Sequence, residues 1–160
     1  ELEAMRDSLL AASGELTLEP RPGGRPFEEK GDQAIARRSV YAFVNRDVRS
    51  QMDTTFDGAD PSACTVKRPE TMVPQQTLFA LNSEYIQNRA AKLISRPEIK
   101  AAKSDEERTR LIYQTVYSRL PATDEIKTAI GYVRNADDAT AAWTRFVHAL
   151  LAANEFHFID

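Results

Sequence analysis

The sequence lacks the features that mark several protein classes. Its one cysteine, Cys64, excludes an internal disulfide framework and a Cys/His zinc finger, and no Cys-x-x-Cys-His haem-attachment motif is present. The longest apolar runs, residues 40–44 and 149–153, are far shorter than the roughly 20 residues that cross a bilayer. Positive charge is not in excess, because 21 Lys and Arg residues stand against 24 Asp and Glu residues. The composition therefore argues against nucleic-acid binding and membrane insertion.

The chain has enough length and apolar content to form a core. It has 160 residues, of which 42% are hydrophobic, and a chain of this size buries about two-thirds of its extended surface on folding. Its first residue is Glu1 rather than Met, and helical apolar spacing begins at once at Leu2 and Met5. We therefore expect one domain over residues 1–160, cut from a larger protein.

Hydrophobic periodicity and capping residues predict a mainly α fold, a single compact multi-helix domain. The first predicted helix ends before Gly14, Pro74 begins another, and Asn82 or Ser83 caps the next, which ends before Pro97. Ser104 and Glu107 form a predicted capping box. Two further helices are predicted from Thr123, as N-cap, to Val133 and over residues 139–153, followed by an extended tail that carries Phe156 and Phe158.

The regions between these helices are rich in turn residues. Residues 14–38 hold four of the six glycines and three of the eight prolines, which predicts a long flexible surface loop or linker. Residues 39–47 are apolar in a run too short to distinguish helix from strand, with a helix slightly favoured. Residues 49–72 show no sustained period, which predicts an ordered irregular segment.

The densest group of polar residues lies between Arg37 and Asn82. Irregular segments held by rigid elements often carry binding groups, but the same side chains also satisfy buried backbone groups, which is the reading we favour. The candidate catalytic residues are Asp57, Asp60, Cys64 and Arg68, and the candidate binding residues are Arg37, Arg38, Thr71, Gln75 and Asn82.

Specific chemistries find little support in this block. A calcium site at Asp53, Asp57 and Asp60 does not match the spacing of a calcium-binding loop, so no metal is predicted. The same carboxylates as an acid–base pair stay an open alternative. Nothing near Cys64 marks it as an activated nucleophile, so a buried small hydrophobe is favoured. His148 is read as a boundary residue of the last helix rather than a metal ligand.

Several short motifs, in order along the chain, resemble a known family. They are Leu2, Glu3, Ala4, Arg6, Asp7 and Ser13-Gly14, then Arg37-Arg38-Ser39-Val40-Tyr41, Thr55-Phe56-Asp57-Gly58-Ala59-Asp60, Cys64-Thr65-Val66-Lys67-Arg68, Thr71 with Pro74-Gln75, and Leu81-Asn82, and finally Asn154-Glu155-Phe156 and Asp160. This set resembles the C-terminal planctomycete-specific domain of unknown function that accompanies planctomycete cytochrome-c-like domains in large exported proteins.

The resemblance implies a setting rather than an activity. It implies upstream domains of the same polypeptide as partners, export to the periplasm or cell surface, and haem only in those upstream domains, with no cofactor in this fragment. It supplies no established catalytic residues. In an exported protein, a lone Cys64 thiol is expected to be buried, paired with an upstream cysteine or functional.

We therefore expect a non-catalytic helical interaction or structural module in a large exported bacterial protein. This hypothesis predicts an exposed apolar patch near the first helix or near Phe156 and Phe158. One alternative is part of a hydrolase, with polysaccharide as a candidate substrate, that uses Asp57, Asp60 and Arg68. The other is a docking domain for a cytochrome-type partner.

Overall fold

Helices carry the fold in this computed structural model, which describes residues 2–18, 36–42, 44, 46–47, 49–64, 66–68, 71 and 73–157. The predicted mainly α class is confirmed, since these residues contain no strand beyond an isolated bridge between Thr17 and Arg37. None of the described helices has the length and hydrophobicity to span a membrane. The helices are α1 (Leu2–Ser13), a 3-10 turn (Ser39–Tyr41), α2 (Gln51–Thr55), α3 (Pro74–Asn82), α4 (Glu84–Ile94), α5 (Pro97–Lys100), α6 (Asp105–Tyr117), α7 (Thr123–Arg134), α8 (Ala139–Leu151) and α9 (Asn154–His157).

Backbone contacts divide the chain into two compact units. The N-terminal unit comprises residues 1–11 and 15–85, and the C-terminal unit comprises residues 12–14 and 86–160. The expected single domain and the expected flexible loop over residues 14–38 stay predictions. Residues 19–35 of that loop lie outside the described part of the chain, and Thr17 N–H donates to the Ala36 carbonyl at 2.6 Å across its two ends.

In the N-terminal unit, α1 turns its apolar stripe inward. Leu2, Met5 and Leu9 are all buried, as expected for residues at helical spacing. These three residues of α1 therefore add nothing to the exposed apolar patch expected near the first helix or near Phe156 and Phe158, which stays a prediction. Further along the unit, the ring of Phe56 meets the ring of Phe79 edge-to-face, with centroids 5.5 Å apart, which packs the end of α2 against α3.

The C-terminal unit is built on α6, α7 and α8, which pack against one another. The predicted core stripe of α8 is confirmed, because Trp143, Val147 and Leu151 are buried. The Trp143 indole meets the Phe146 ring edge-to-face at 5.9 Å, and the Arg108 guanidinium lies 5.5 Å from the indole centroid.

Two predicted helix signals are confirmed, one of them only in part. Gly14 ends α1 with a φ of 76°, the left-handed conformation that favours glycine. The Ser104 hydroxyl accepts from the Glu107 N–H at 3.1 Å, as the capping box requires. The second half of the box is wrong, because the Glu107 carboxylate accepts from the Lys103 N–H at 2.7 Å rather than from Ser104.

The start of α7 also differs from the prediction. Thr123 is the first helical residue rather than the N-cap, and the Glu125 carboxylate accepts from the Ala122 N–H at 2.6 Å. The side chain of the third helical residue therefore reaches back to the amide of the N-cap residue, and Thr123 makes no N-cap hydrogen bond. At the start of α8, the Asp138 carboxylate accepts from the N–H groups of Thr140 and Ala141 and so caps the helix.

Four short elements depart from the sequence prediction. Among the described residues of the 39–47 run, Ser39–Tyr41 is helical, as a 3-10 turn. Helix α2 lies inside the segment predicted to be irregular, and α5 follows directly where the preceding helix was expected to end. The extended tail is wrong at Phe156, which lies in α9, whereas Phe158 lies outside the described residues.

Arg119 joins three parts of the C-terminal unit. Its guanidinium makes a two-bond fork with Glu125, at 2.8 Å for both N–O distances, and bonds to Glu155 at 2.6 and 3.0 Å. It also lies over the rings of Tyr113 and Tyr117, at 5.2 and 5.5 Å. The hydrogen bonds from Arg119 lower the pKa of Glu125 to about 2.

Candidate functional site

Asp57, the first candidate catalytic residue, closes a turn. It has a φ of 53°, and its carboxylate accepts from the Thr71 N–H at 2.8 Å and the Thr71 hydroxyl at 2.6 Å. The Gln76 amide then donates to the carbonyls of Thr55 and Thr71, at 3.1 and 3.0 Å. Two predicted site residues, Asp57 and Thr71, are thus brought together, and their bonds hold the chain that leads into α3.

Asp60 is engaged separately. It accepts from the Ser62 N–H at 2.8 Å, and its carboxylate lies 3.8 Å from a guanidinium nitrogen of Arg49. Arg49 also donates to the carbonyls of Gly58, at 2.7 Å, and Asp53, at 3.3 Å. The two candidate carboxylates therefore serve two local bonding sets, and the geometry gives an acid–base pair no support.

Asp53 caps α2 rather than joining a cation site. Its carboxylate accepts from the Ser50 N–H at 3.3 Å, and its N–H donates to the Ser50 hydroxyl at 3.0 Å, which is a complete capping box. Its carbonyl accepts from the Gly58 N–H at 2.8 Å. Within the described part of the chain, no three His, Cys, Asp or Glu side chains are grouped as metal ligands.

Arg68 bonds to α1 within the N-terminal unit. Its guanidinium donates to the Glu3 carboxylate at 2.8 Å, with the two side chains 38% and 33% exposed. Partial burial acts to raise the pKa of Glu3, but the Arg68 bond and backbone bonding outweigh it and leave that pKa below its usual value. The candidate catalytic residue Arg68 is therefore engaged in a structural ion pair.

The candidate binding residues Arg37 and Arg38 border a polar cluster that the sequence analysis did not identify. Arg6 is 3% exposed and donates to the Arg37 carbonyl at 3.0 Å and the Ser39 hydroxyl at 3.2 Å. Asp7 accepts from both the N–H and the hydroxyl of Ser39 at 2.7 Å, and lies 3.5 Å from Arg38. These partners are more than 30 residues apart, so no periodic pattern indicates the pairing.

Cys64 is exposed, and the prediction of a buried cysteine is wrong. It lies in an irregular stretch of turns, where no helix or strand face carries its side chain inward. A lone thiol in an exported protein is expected to be buried, paired with an upstream cysteine or functional. The exposure of Cys64 excludes the first of these states. His148, expected at the boundary of α8, is half-buried.

Two other predicted binding residues, Gln75 and Asn82, line one cleft. This α3 cleft has a volume of about 560 Å³ and lies wholly in the N-terminal unit; its walls are formed by Gln51, Thr55, Gln75, Leu78, Phe79, Asn82, Ser83, Glu84 and Tyr85. Gln75, Leu78 and Asn82 are at positions i, i+3 and i+7, so one face of α3 presents them together. Periodicity finds this face, but the walls supplied by α2 and the start of α4 come from tertiary folding.

The chemistry of the α3 cleft is mixed. Leu78 is 58% exposed, whereas the rings of Phe79 and Tyr85 are buried. The Asn82 amide donates to the Leu78 carbonyl at 2.8 Å and keeps its acceptor oxygen for other groups. Glu84 is the one ionisable carboxylate on the walls, and no Lys, Arg or His joins it. The lining of the cleft offers amides, hydroxyls and the apolar side chain of Leu78, with no nucleophile–base pair.

Comparison with known proteins identifies one family. No curated protein and no solved structure matches the chain. The model of the family PSD1, described as "Protein of unknown function (DUF1553)", matches residues 1–133, which include the α3 cleft and the whole polar block. Because the match covers well over half of its residues, the chain belongs to the PSD1 family, a family of proteins of unknown function.

Proposed function

We propose that this chain is a non-catalytic helical interaction module whose α3 cleft binds an extended segment of the same polypeptide outside residues 1–160. The observation that carries the proposal is the cleft itself, which combines the exposed apolar side chain of Leu78 with the amides of Gln51, Gln75 and Asn82. An exposed apolar residue in a cleft that is also lined by polar side chains is typical of a binding surface.

The amide groups favour a polypeptide as the occupant. Gln and Asn side chains present both a donor and an acceptor, which matches the N–H and C=O groups of an extended main chain. Leu78 supplies a contact for an apolar side chain of that segment. A carbohydrate is a poorer match, because Phe79 and Tyr85 are buried and leave no open ring face for a sugar.

The use of the other candidate residues supports a non-catalytic role. Asp57 bonds Thr71, Asp60 bonds Ser62, and Arg68 bonds Glu3, so these three side chains hold the irregular segment together. Hydrolysis by the alternative hydrolase would need the two carboxylates at one substrate position, with protonation states suited to an acid and a base. Their separate engagement favours the interaction module.

The setting of the module is part of the same proposal. We place it in a large exported protein of the periplasm or cell surface, with upstream domains as the source of the bound segment. The support is the resemblance of its motifs to a planctomycete-specific domain that accompanies cytochrome-c-like domains. The alternative partner is a cytochrome-type domain to which this module docks. Any haem then belongs to that domain.

Photo-crosslinking in the full-length protein tests the proposal. Benzoylphenylalanine replaces Leu78, and the irradiated protein is digested and analysed by mass spectrometry. Leu120 is the matched control, because it is also a leucine that is 58% exposed, but it is not one of the residues that form the cleft walls. We expect cross-links from position 78 to peptides outside residues 1–160, at several times the yield from position 120.

Two results would contradict the proposal. Equal yields from positions 78 and 120 would remove the cleft as a binding surface. Cross-links from position 78 to a separate protein, with none inside the polypeptide, would replace the intramolecular partner by an external one.

A further inference from the structure

A second groove lies in the C-terminal unit and is lined by residues of α6 and α7. It has a volume of about 510 Å³, and one face of α7 forms its floor, with Thr123, Ile126, Ile130 and Arg134 at helical spacing. Ile126 and Ile130 are only half-buried. Because α7 runs about 16 Å from Thr123 to Arg134, this α6–α7 groove is as long as about three helical turns.

Gly131 lies in the floor of this groove, in the interior of α7. A Cβ atom at this position would meet nothing within 4 Å, so no neighbouring atom in the described chain explains why this residue is glycine. Its backbone is in the ordinary helical region, where alanine is the more stabilising residue. A glycine facing open space is explained when another backbone approaches it closely.

The rim of the groove is locally basic. Arg110, Lys127 and Arg134 stand against one lining acid, Glu106, in a chain whose net charge is −3. Arg110 pairs with Glu106 at 2.7 Å and Lys127 with Asp124 at 3.2 Å, but these side chains are at least half exposed. Pairs of this kind hold their partners weakly. Arg134 makes no ion pair within the described part of the chain.

We propose that the α6–α7 groove binds an acidic amphipathic helix of a partner protein. Its apolar side chains pack on Ile126 and Ile130, its backbone approaches Gly131, and its carboxylates pair with Lys127 and Arg134. Packed helices lie about 8–10 Å apart, and glycine permits the close end of that range. This helix-in-groove mode needs the apolar stripe and the flanking charges together. The isoleucine floor and the acid Glu106 disfavour a phosphate backbone.

Fluorescence anisotropy tests this proposal with the 160-residue protein and two synthetic probes. One is a fluorescein-labelled 18-residue peptide with Leu at i, i+3, i+4 and i+7 and Glu on its flanks, and the other carries Lys in place of every Glu. We expect the acidic peptide to bind at least tenfold more tightly than the basic one. Raising the NaCl concentration from 0.05 to 0.5 M should lower the affinity for the acidic peptide several-fold.

Matched variants locate the binding. The double variant Lys127→Gln with Arg134→Gln should lower the affinity for the acidic peptide at least tenfold. The control Lys92→Gln with Lys100→Gln removes the same charge outside the groove and should change that affinity by less than twofold. Gly131→Leu should weaken binding at least tenfold, and Gly131→Ala less, because only the larger side chain fills the groove. Circular dichroism confirms that each variant is folded.

Three outcomes overturn the proposal. The first is equal binding of the two peptides, or binding of neither. The second is binding that both pairs of charge variants reduce alike. The third is self-association of the protein in sedimentation experiments that Gly131→Leu abolishes, which would make the groove an interface between two copies of this chain.

Discussion

Arg119 shows how one side chain can join distant parts of a helical unit. It follows α6, pairs with Glu125 in the first turn of α7 and with Glu155 in α9, and covers two tyrosine rings of α6. The bond to Glu155 spans 36 positions of sequence. Bidentate geometry and shared partners distinguish this network from an isolated surface pair.

Replacing this arginine should therefore destabilise the protein measurably. Arg119→Met keeps much of the side-chain volume but removes all bonds to Glu125 and Glu155. We expect a loss of about 1–2 kcal/mol in the free energy of unfolding, discounted for partial exposure. Arg110→Met is the matched control, since it removes one exposed i,i+4 pair and should cost less than about 0.5 kcal/mol. Urea titration followed by circular dichroism measures both, and equal losses would contradict a special role for Arg119.

His157 should make stability depend on pH near neutrality. Burial lowers its pKa below 6.5, against an opposing hydrogen bond to the Leu151 backbone. The unfolded chain therefore takes up a proton at a pH where the folded chain does not, so stability present above pH 6.5 is lost as pH falls through the lower folded pKa.

Urea titrations at pH 7.5 and 5.5 check this dependence above the range where carboxylates titrate. We expect a lower free energy of unfolding at pH 5.5, and His157→Gln should reduce that difference. His148→Gln, which removes the other histidine, should retain it. A fall that is the same with and without His157 would assign the effect to other groups.

At the scale of the element, local signals and tertiary contacts predict different helices. The long helices α1, α4, α6, α7 and α8 follow from amphipathic periodicity. Gly14 correctly marks the end of α1, and Pro74 correctly marks the start of α3. The short helices α5 and α9 have too few residues to show a period. Helix α9 begins beside Glu155, whose partner Arg119 is distant in sequence, so no local pattern indicates it.

A matched pair of glycines tests the end of α1. Gly14→Ala should lower the free energy of unfolding by about 1 kcal/mol, because alanine is strained at a φ of 76°. Its Cβ would contact Arg96 at 3.6 Å, an ordinary distance, so strain rather than collision causes the loss. Gly131→Ala should raise stability by about 0.5–1 kcal/mol, because that backbone is helical and open. Thermal unfolding reports both, and shifts of the same sign would contradict this interpretation.

At the scale of the whole molecule, the sequence predicts where the polar block lies but not which of its side chains bond to one another. Composition indicates that residues 37–82 are polar and irregular, and α3 periodicity places Gln75 with Asn82. The pairing of Asp57 with Thr71 and of Arg68 with Glu3 depends on segments 14 and 65 residues apart. Such pairs are set by the folded chain, because many pairings of these charges and hydroxyls are equally compatible with the composition.

The position of Trp143 has a spectroscopic consequence. It is the one tryptophan of the chain, it is 2% exposed, and it belongs to the C-terminal unit. Indole fluorescence shifts to longer wavelength when the ring enters water, so the emission wavelength reports when the core around α8 opens. Far-ultraviolet ellipticity records helices throughout the chain. When both signals are followed during denaturation, unfolding around Trp143 can be separated from the loss of helix elsewhere in the chain.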